Sequence, residues 1–397
     1  MVINPKVRGF ICTNAHPVGC AENVSQQIDY IKGLSFNDPQ PSAPKKVLVI
    51  GSSTGYGLAS RITAAYGYGA ETLGVFFEKP PTEKRTASAG YYNSAAFEQL
   101  AHADGLYAKS INGDAFSNEI KQQVIDLIKT DMGQVDLVIY SLASPRRTDP
   151  LTGETHMSTL KPIGEAYTAK NLNTDTQVVG EVTVEPASQE EIDNTVKVMG
   201  GEDWALWMDA LNAAGVLTPG CKTVSYTYIG DKLTKPIYGD ATIGKAKEHL
   251  DVTAADLNKR LDVQANVAVL KAVVTQASSA IPVMPLYLAI LFKKMQEAGT
   301  HEGCIEQLSR LFEECLFTDK PRLDDANRFR VDELELLPEM QAAVENIWPQ
   351  VTTENLHELS DFAAYQSEFL RLFGFGIEGV DYSEDVSPLV EVQFNNS

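Results

Sequence analysis

Cysteine is scarce and scattered: Cys12, Cys20, Cys221, Cys304 and Cys315 are the five in 397 residues, an odd number with no C-x-x-C pair. That argues against a disulfide framework and for reduced thiols in a cytoplasmic protein. Histidine is also sparse. The run His301-Glu302-Gly303-Cys304 begins like a metalloprotease helix but lacks the second histidine, so no metal is expected. Positive charge is in short supply: 33 Lys and Arg against 53 Asp and Glu leave a net charge of −20. Nucleic-acid binding is excluded on that balance, because neutralising phosphates needs clustered Lys and Arg. No apolar run reaches the roughly 18 to 20 residues of a membrane span, so no membrane insertion is expected. The first residues lack the basic start and continuous apolar core of a secretion signal, which again favours the cytoplasm. What remains is ordinary globular composition, 44% hydrophobic and 22% charged, in a chain long enough for more than one domain.

The most informative stretch runs from Lys45 to Glu78. Val47 to Ile50 reads as a buried strand, and a glycine turn, Gly51-Ser52-Ser53-Thr54-Gly55-Tyr56-Gly57, follows at once. Leu58, Ile62 and Ala65 then recur at helical spacing, and Leu73 to Phe77 reads as a second strand ending in Glu78. This is a βαβ unit with a phosphate cradle: glycines let backbone approach a pyrophosphate, whose charge a helix N-terminus favours. The pattern G-x-x-x-G-x-G is weak alone and gains weight from the strand before it and the helix after it. We expect Phe77 and Glu78 to border the adenosine ribose. Glu78 accepts from ribose hydroxyls and repels a 2′-phosphate, favouring NADH over NADPH, unless it is an ordinary loop acid.

Further alternation follows. Tyr91 to His102 reads as a helix, and Leu106 to Ile111 as a strand leading into Asp114 and Ala115. There Asp114 either faces the adenine or caps the next helix. A helix over 120–128 and a strand over 135–140 come next, and then Ser141-Leu142-Ala143-Ser144-Pro145, where Leu142 and Ala143 let backbone pass close to a cofactor. Alternating strands and helices predict an α/β fold with a doubly wound parallel sheet. Residues 1–44 read as a strand–helix extension (strand 7–12, helix 21–31) and a Pro-rich linker, with His16 a structural rather than catalytic histidine. The catalytic domain is expected over 45–318, with an insertion at about 146–220 that covers the substrate cleft and carries a helix capped by Asp203. Beyond it, 319–397 reads as a helical appendage.

A strand over 222–230 ends near Tyr228, and a long helix begins at Thr242. Between them stands Tyr238, with Lys247 nine positions on. Nine steps along one helix rotate by roughly 900°, so the two can meet only if Tyr238 precedes the helix. Taken alone, they are better read as an exposed tyrosine and a solvated lysine. Val267 to Thr275 reads as a further strand whose end approaches a nicotinamide. Ala280 to Phe292, the most apolar run, is either a buried helix or a wall of an acyl pocket.

Together, Gly51 to Gly57, Ser141 to Pro145, Tyr238-x8-Lys247 and His301-Glu-Gly-Cys-Ile-Glu306 resemble the trans-2-enoyl thioester reductases of the FabV type, enlarged relatives of the short-chain dehydrogenases. The resemblance covers nearly the whole chain. It implies an NADH-dependent, monomeric enzyme reducing enoyl groups on acyl carrier protein or coenzyme A. It implies Tyr238 as the catalytic residue, with Tyr228 at the substrate. It also places Lys247 on the cofactor side, where its charge lowers the tyrosine pKa, and Val273, Val274 and Thr275 at the nicotinamide. A flavin label attached to the C-terminal region in this family finds no motif here. Ser225-x12-Tyr238 matches the serine–tyrosine spacing of ketoreductases, but their lysine position is occupied by Thr242. A non-catalytic NADH sensor is the remaining alternative.

Overall fold

A computed structural model of the protein describes residues 1–36 and 43–396. The expected Pro-rich linker falls partly on residues 37–42, outside those described. The fold centres on eight parallel strands. They are β1 (Lys46–Ile50), β2 (Glu71–Phe76), β3 (Ala108–Asn112), β4 (Val135–Tyr140), β5 (Leu217–Thr227), β6 (Val263–Val269), β7 (Phe329–Arg330) and β8 (Asn395–Asn396). Their order across the sheet is β7-β6-β5-β4-β1-β2-β3-β8. The chain therefore winds outward from β1 in one direction and from β4 in the other, and the crevice between those two strands is where such sheets bind ligands.

The sheet's centre is apolar on both faces because helices cover both. Val47 and Val49 of β1 pack with Val24, Leu58 and Leu308 on one face. Leu48 and Ile50 pack with Val124, Trp207 and Leu257 on the other. The registers Val47↔Leu137 and Ile50↔Tyr140 bring β1 and β4 to their carboxyl ends together.

The additions are more integrated than their sequence suggests. The N-terminal strand is a hairpin of two-residue arms, Val7–Arg8 and Ile11–Cys12. The following helix begins at Pro17 rather than Ala21, because His16 caps it: Nδ1 accepts the Gly19 N–H at 3.1 Å. The insertion contains a hairpin, Tyr167–Asn173 with Val178–Val184, and helices Gln189–Met199 and Glu202–Ala213. Gly201 stands at the N-cap of the second helix. Asp203 instead lies buried, accepting from Lys121 Nζ at 2.8 Å and Tyr140 Oη at 3.1 Å. The segment after Thr318 is not only helical: β7 adds to one edge of the sheet and β8 to the other.

Strand β6 stops at Val269, six residues short of the expected end at Thr275. The backbone there is drawn out of the sheet by side chains: Lys271 N–H donates to Gln307 Oε1 at 3.0 Å and Ala272 N–H to Glu335 Oε2 at 2.6 Å. The apolar run over 280–292 enters a helix, Met284–Glu297, whose residues from Met284 to Phe292 are all buried. A helix that is hydrophobic all round belongs in a core. Among the described residues no helix is long and apolar enough to cross a membrane.

His16 is fully buried, with its ring edge-on to Tyr382, and burial lowers its pKa. Its cap requires an unprotonated Nδ1. A depressed folded-state value means the contribution is complete above about pH 6.5 and is lost as pH falls through the folded value. His16→Ala should cost ~1 kcal/mol from the cap alone at neutral pH, and more with the ring contacts. In urea melts, the gap between wild type and variant should narrow on acidification.

Candidate active site

Every predicted cofactor-side residue except Lys247 lies beyond the carboxyl end of a sheet strand, in a turn, a loop or, for Gly55 and Tyr56, the first turn of the helix that follows, and the glycine turn shows why its residues are small. Gly51 has φ +88°, and a Cβ there would lie 2.1 Å from the Ser141 carbonyl oxygen and 3.1 Å from Leu142 Cδ2. A Cβ on Gly57 would lie 1.8 Å from the Gly51 oxygen. The turn is tied down by Gly51 and Ser52 N–H groups, both donating to the Val75 carbonyl. Thr54 is the N-cap of the helix Gly55–Ile62, yet its side chain makes no capping bond. The first-turn amides are thus left for an anion, and the residues fit a dinucleotide pyrophosphate.

At the end of β2, Glu78 accepts from Ser53 Oγ at 2.7 Å. Asn112, at the end of β3, brackets its backbone, accepting from the Glu78 N–H at 2.8 Å and donating to its carbonyl at 3.0 Å. Gly90 makes room, since a Cβ there would lie 2.1 Å from Glu78 Oε1. Burial raises the Glu78 pKa, and hydrogen bonds from Ser88 and Ser53 oppose the rise. Phe77 is 74% exposed. Asp114 does not cap the following helix, because Ser117 does; its Oδ1 accepts from the Phe116 N–H at 3.0 Å. Ala115 is buried, with its carbonyl taken by Trp207 and Lys121. Ala143 follows Leu142 in the open stretch after β4.

The loop after β6 returns over the glycine turn. A Cβ at Gly55 would lie 3.8 Å from Thr275 Cγ2, and Tyr56 Oη donates to the Lys271 carbonyl at 2.8 Å. Val273 and Val274 are buried, and Thr275 caps the short helix Gln276–Ser279.

Tyr238 precedes its helix, as a meeting with Lys247 would require. It ends a 3-10 turn, Lys235–Ile237, and the helix Thr242–Arg260 begins four residues on. Gly244 permits this close entry: a Cβ there would lie 1.9 Å from the Gly239 oxygen and 2.8 Å from the Tyr238 oxygen. The Tyr228 and Tyr238 rings meet edge-to-face at 5.0 Å between centroids. Both pack against the apolar cluster that includes Leu172 of the inserted hairpin and the helix Met284–Glu297. Burial holds the Tyr238 phenol above its ordinary value, against the expectation that Lys247 lowers it. Among the described residues no hydrogen bond joins Lys247 to Tyr238. Lys247 Nζ donates to the Tyr226 carbonyl at 3.0 Å, and burial lowers its pKa to about 8.

Three groups behind these tyrosines, Glu335, Tyr287 and Lys271, escaped sequence reasoning. Glu335 is fully buried and accepts from Tyr228 Oη at 2.8 Å and Tyr287 Oη at 2.7 Å. Lys271, 1% exposed, donates to the carbonyls of Ala272 and Glu302. No local signal marks Glu335: it sits in an acidic stretch 107 residues from Tyr228.

A doubly wound sheet with this turn and an acid at the second strand end defines a Rossmann-type dinucleotide-binding oxidoreductase. Family models narrow the class. Residues 2–83 match the NAD(P)H binding domain of trans-2-enoyl-CoA reductase, 85–317 its catalytic region, and 323–386 an enoyl reductase FAD binding domain. The chain is 67% identical over 391 residues to an enoyl-[acyl-carrier-protein] reductase [NADH] of Saccharophagus degradans, covering 98% of each. It is 65% identical to that of Teredinibacter turnerae, again over 98% of each. Treponema denticola trans-2-enoyl-CoA reductase, solved in complex with NAD, superposes with a TM-score of 0.93 at 49% identity, over 97% of this chain and 98% of that one. The chain belongs to the trans-2-enoyl thioester reductase family of the FabV type.

The first two matched regions share one sheet, with β1 and β2 in one and β3 to β6 in the other. The third does not fit a flavin. Its three arginines are engaged: Arg328 with Asp324 and Asp251, Arg330 with Asp332, and Arg371 with Asn23 and Gln26. Its crowded glycine, Gly374, packs on Cys20 and His16.

Replacing Glu78 with alanine should narrow the preference for NADH over NADPH by at least about tenfold in kcat/KM, by removing the charge that opposes a 2′-phosphate. Steady-state kinetics with both cofactors measures this.

Proposed function

We infer that the protein catalyses NADH-dependent reduction of the trans-2 double bond of enoyl thioesters to saturated acyl thioesters. The observation that carries this reading is the half-buried Tyr228–Tyr238 pair, set beside the loop that returns over a glycine turn fit for a dinucleotide. NADH would supply the hydride for the substrate's β-carbon, and a proton, passed from the Tyr238 hydroxyl directly or by way of the enol, completes reduction at the α-carbon. Gly51 to Tyr56 hold the pyrophosphate, Phe77, Glu78, Asp114 and Ala115 border the adenosine, and Leu142 and Ala143 flank the cofactor beyond β4. Val273 to Thr275 line the nicotinamide end. Tyr238 keeps its proton because burial disfavours the phenolate, and so donates a hydrogen bond to the thioester oxygen as enolate charge grows there. Tyr228 walls the acyl side, and Lys247 lies at the cofactor.

Both acyl carrier protein and coenzyme A serve as carriers in this reading, since relatives are named for each. Monomeric operation accords with a sheet that ends at both edges in a two-residue strand, which offers little backbone to a neighbour. A cytoplasmic setting accords with five free cysteines. A ketoreductase is disfavoured because Ser225 is sealed inside β5, 3% exposed and paired in register with Tyr140 and Val267.

Tyr238→Phe should lower kcat for crotonyl-CoA by roughly 10²- to 10³-fold, the usual loss for an oxyanion donor, with the Kd for NADH nearly unchanged. Full turnover would overturn the assignment, and acetoacetyl-CoA outperforming crotonyl-CoA would favour the ketoreductase. Lys247 loses its charge as pH rises through about 8. In titrations, wild-type affinity for NADH should weaken across that range, while Lys247→Gln should bind more weakly at neutral pH and show a flatter profile.

A further inference from the structure

We propose that Glu335, delivered by the C-terminal segment, is a positioning residue that commits the Tyr228 proton and so makes Tyr238 the sole phenol donor to the substrate. This rests on the enoyl-reductase reading and extends it. Glu335 Oε1 accepts from both Tyr228 Oη and Tyr287 Oη, and Oε2 accepts from the Ala272 N–H at 2.6 Å. An ionised carboxylate is acceptor-only, so three converging donors match that form. The Tyr228 hydroxyl lies 3.0 Å from Thr234 Oγ1. With its proton given to Glu335, it accepts there from the threonine and has none left for a ligand. Its ring is fixed against Tyr238 at 5.0 Å and 83°. The same carboxylate holds Ala272, one residue before the Val273–Thr275 loop, so a single group sets the phenol pair and the loop together. Gln341 closes the arrangement, donating to Tyr287 Oη at 3.1 Å and to the Glu335 carbonyl at 2.8 Å.

Glu335→Gln keeps the shape but replaces one acceptor with a donor. That amide either opposes the Ala272 N–H or turns on the tyrosines and releases the Tyr228 proton. The test is a double-mutant cycle of Glu335→Gln with Tyr228→Phe, read as kcat for crotonyl-CoA at saturating NADH, beside the KM for NADH and the melting temperature. Glu335→Gln should lose about tenfold in kcat with the KM for NADH within about twofold. Adding Tyr228→Phe should cost no further loss, because both changes break one linkage. A residue that only supports the fold would lower the melting temperature without that specific non-additivity. Losses that multiply, or a Glu335→Gln enzyme with wild-type kcat, overturn the proposal. If Glu335→Gln does not fold, Glu335→Asp, which keeps the charge but shortens the reach, is read by the same criterion. A wild-type protein that oxidises no NADH with crotonyl-CoA overturns the enoyl-reductase reading and this one with it. An active wild type with independent variants overturns this one alone.

Discussion

The structure depends on how closely two backbones pass at the centre of the sheet. At Gly51 even a methyl group would sit inside the Ser141 carbonyl, and at Gly57 inside the Gly51 carbonyl. These contacts let the ends of β1 and β4 lie flush where the strand order reverses, so a dinucleotide there meets backbone amides rather than side chains. The glycines are thus required by packing within the protein as well as by the cofactor. The same economy recurs at Gly90 beside Glu78 and at Gly244 beneath Tyr238, where missing side chains set the positions of an acid and a phenol.

Around that centre, the chain's additions act as parts of one body. The C-terminal segment places a two-residue strand on each edge of the sheet and sends Glu335 to the tyrosines. The N-terminal helix receives Gly374 against its first turn, with the His16 N–H accepted by the Phe373 carbonyl at 2.9 Å. The inserted hairpin reaches the apolar cluster that flanks Tyr238. Short edge strands close a sheet without offering much backbone to a neighbour.

Local patterns in the sequence held most of the sheet. Val47 to Ile50, the glycine turn and Glu78 carry a βαβ unit in consecutive residues, and Thr242 was read as the start of the long helix that follows Tyr238. What stayed hidden depended on distant partners. The apolar run from Val267 to Thr275 reads as one strand, yet Gln307 and Glu335 take the backbone donors of its second half. Asp203 resembles a cap until Lys121 and Tyr140 are folded against it. Glu335 lies in an acidic stretch, where nothing nearby distinguishes a buried acceptor from a solvated charge.

The C-terminal origin of Glu335 bears on the order in which the protein becomes functional during synthesis. Strands β1 to β6 and both tyrosines leave the ribosome before residue 329, so the central sheet and dinucleotide turn can assemble while the chain is still growing. Until residues 329–335 are made, Tyr228 has no carboxylate to hold it and β6 presents an open edge of the kind that pairs with other chains, while β3 keeps such an edge until β8. Closure of the sheet at β6 and setting of the tyrosine pair therefore both wait on residues 329–335, and a chain cut short before them would carry the cofactor turn without the clamp behind it.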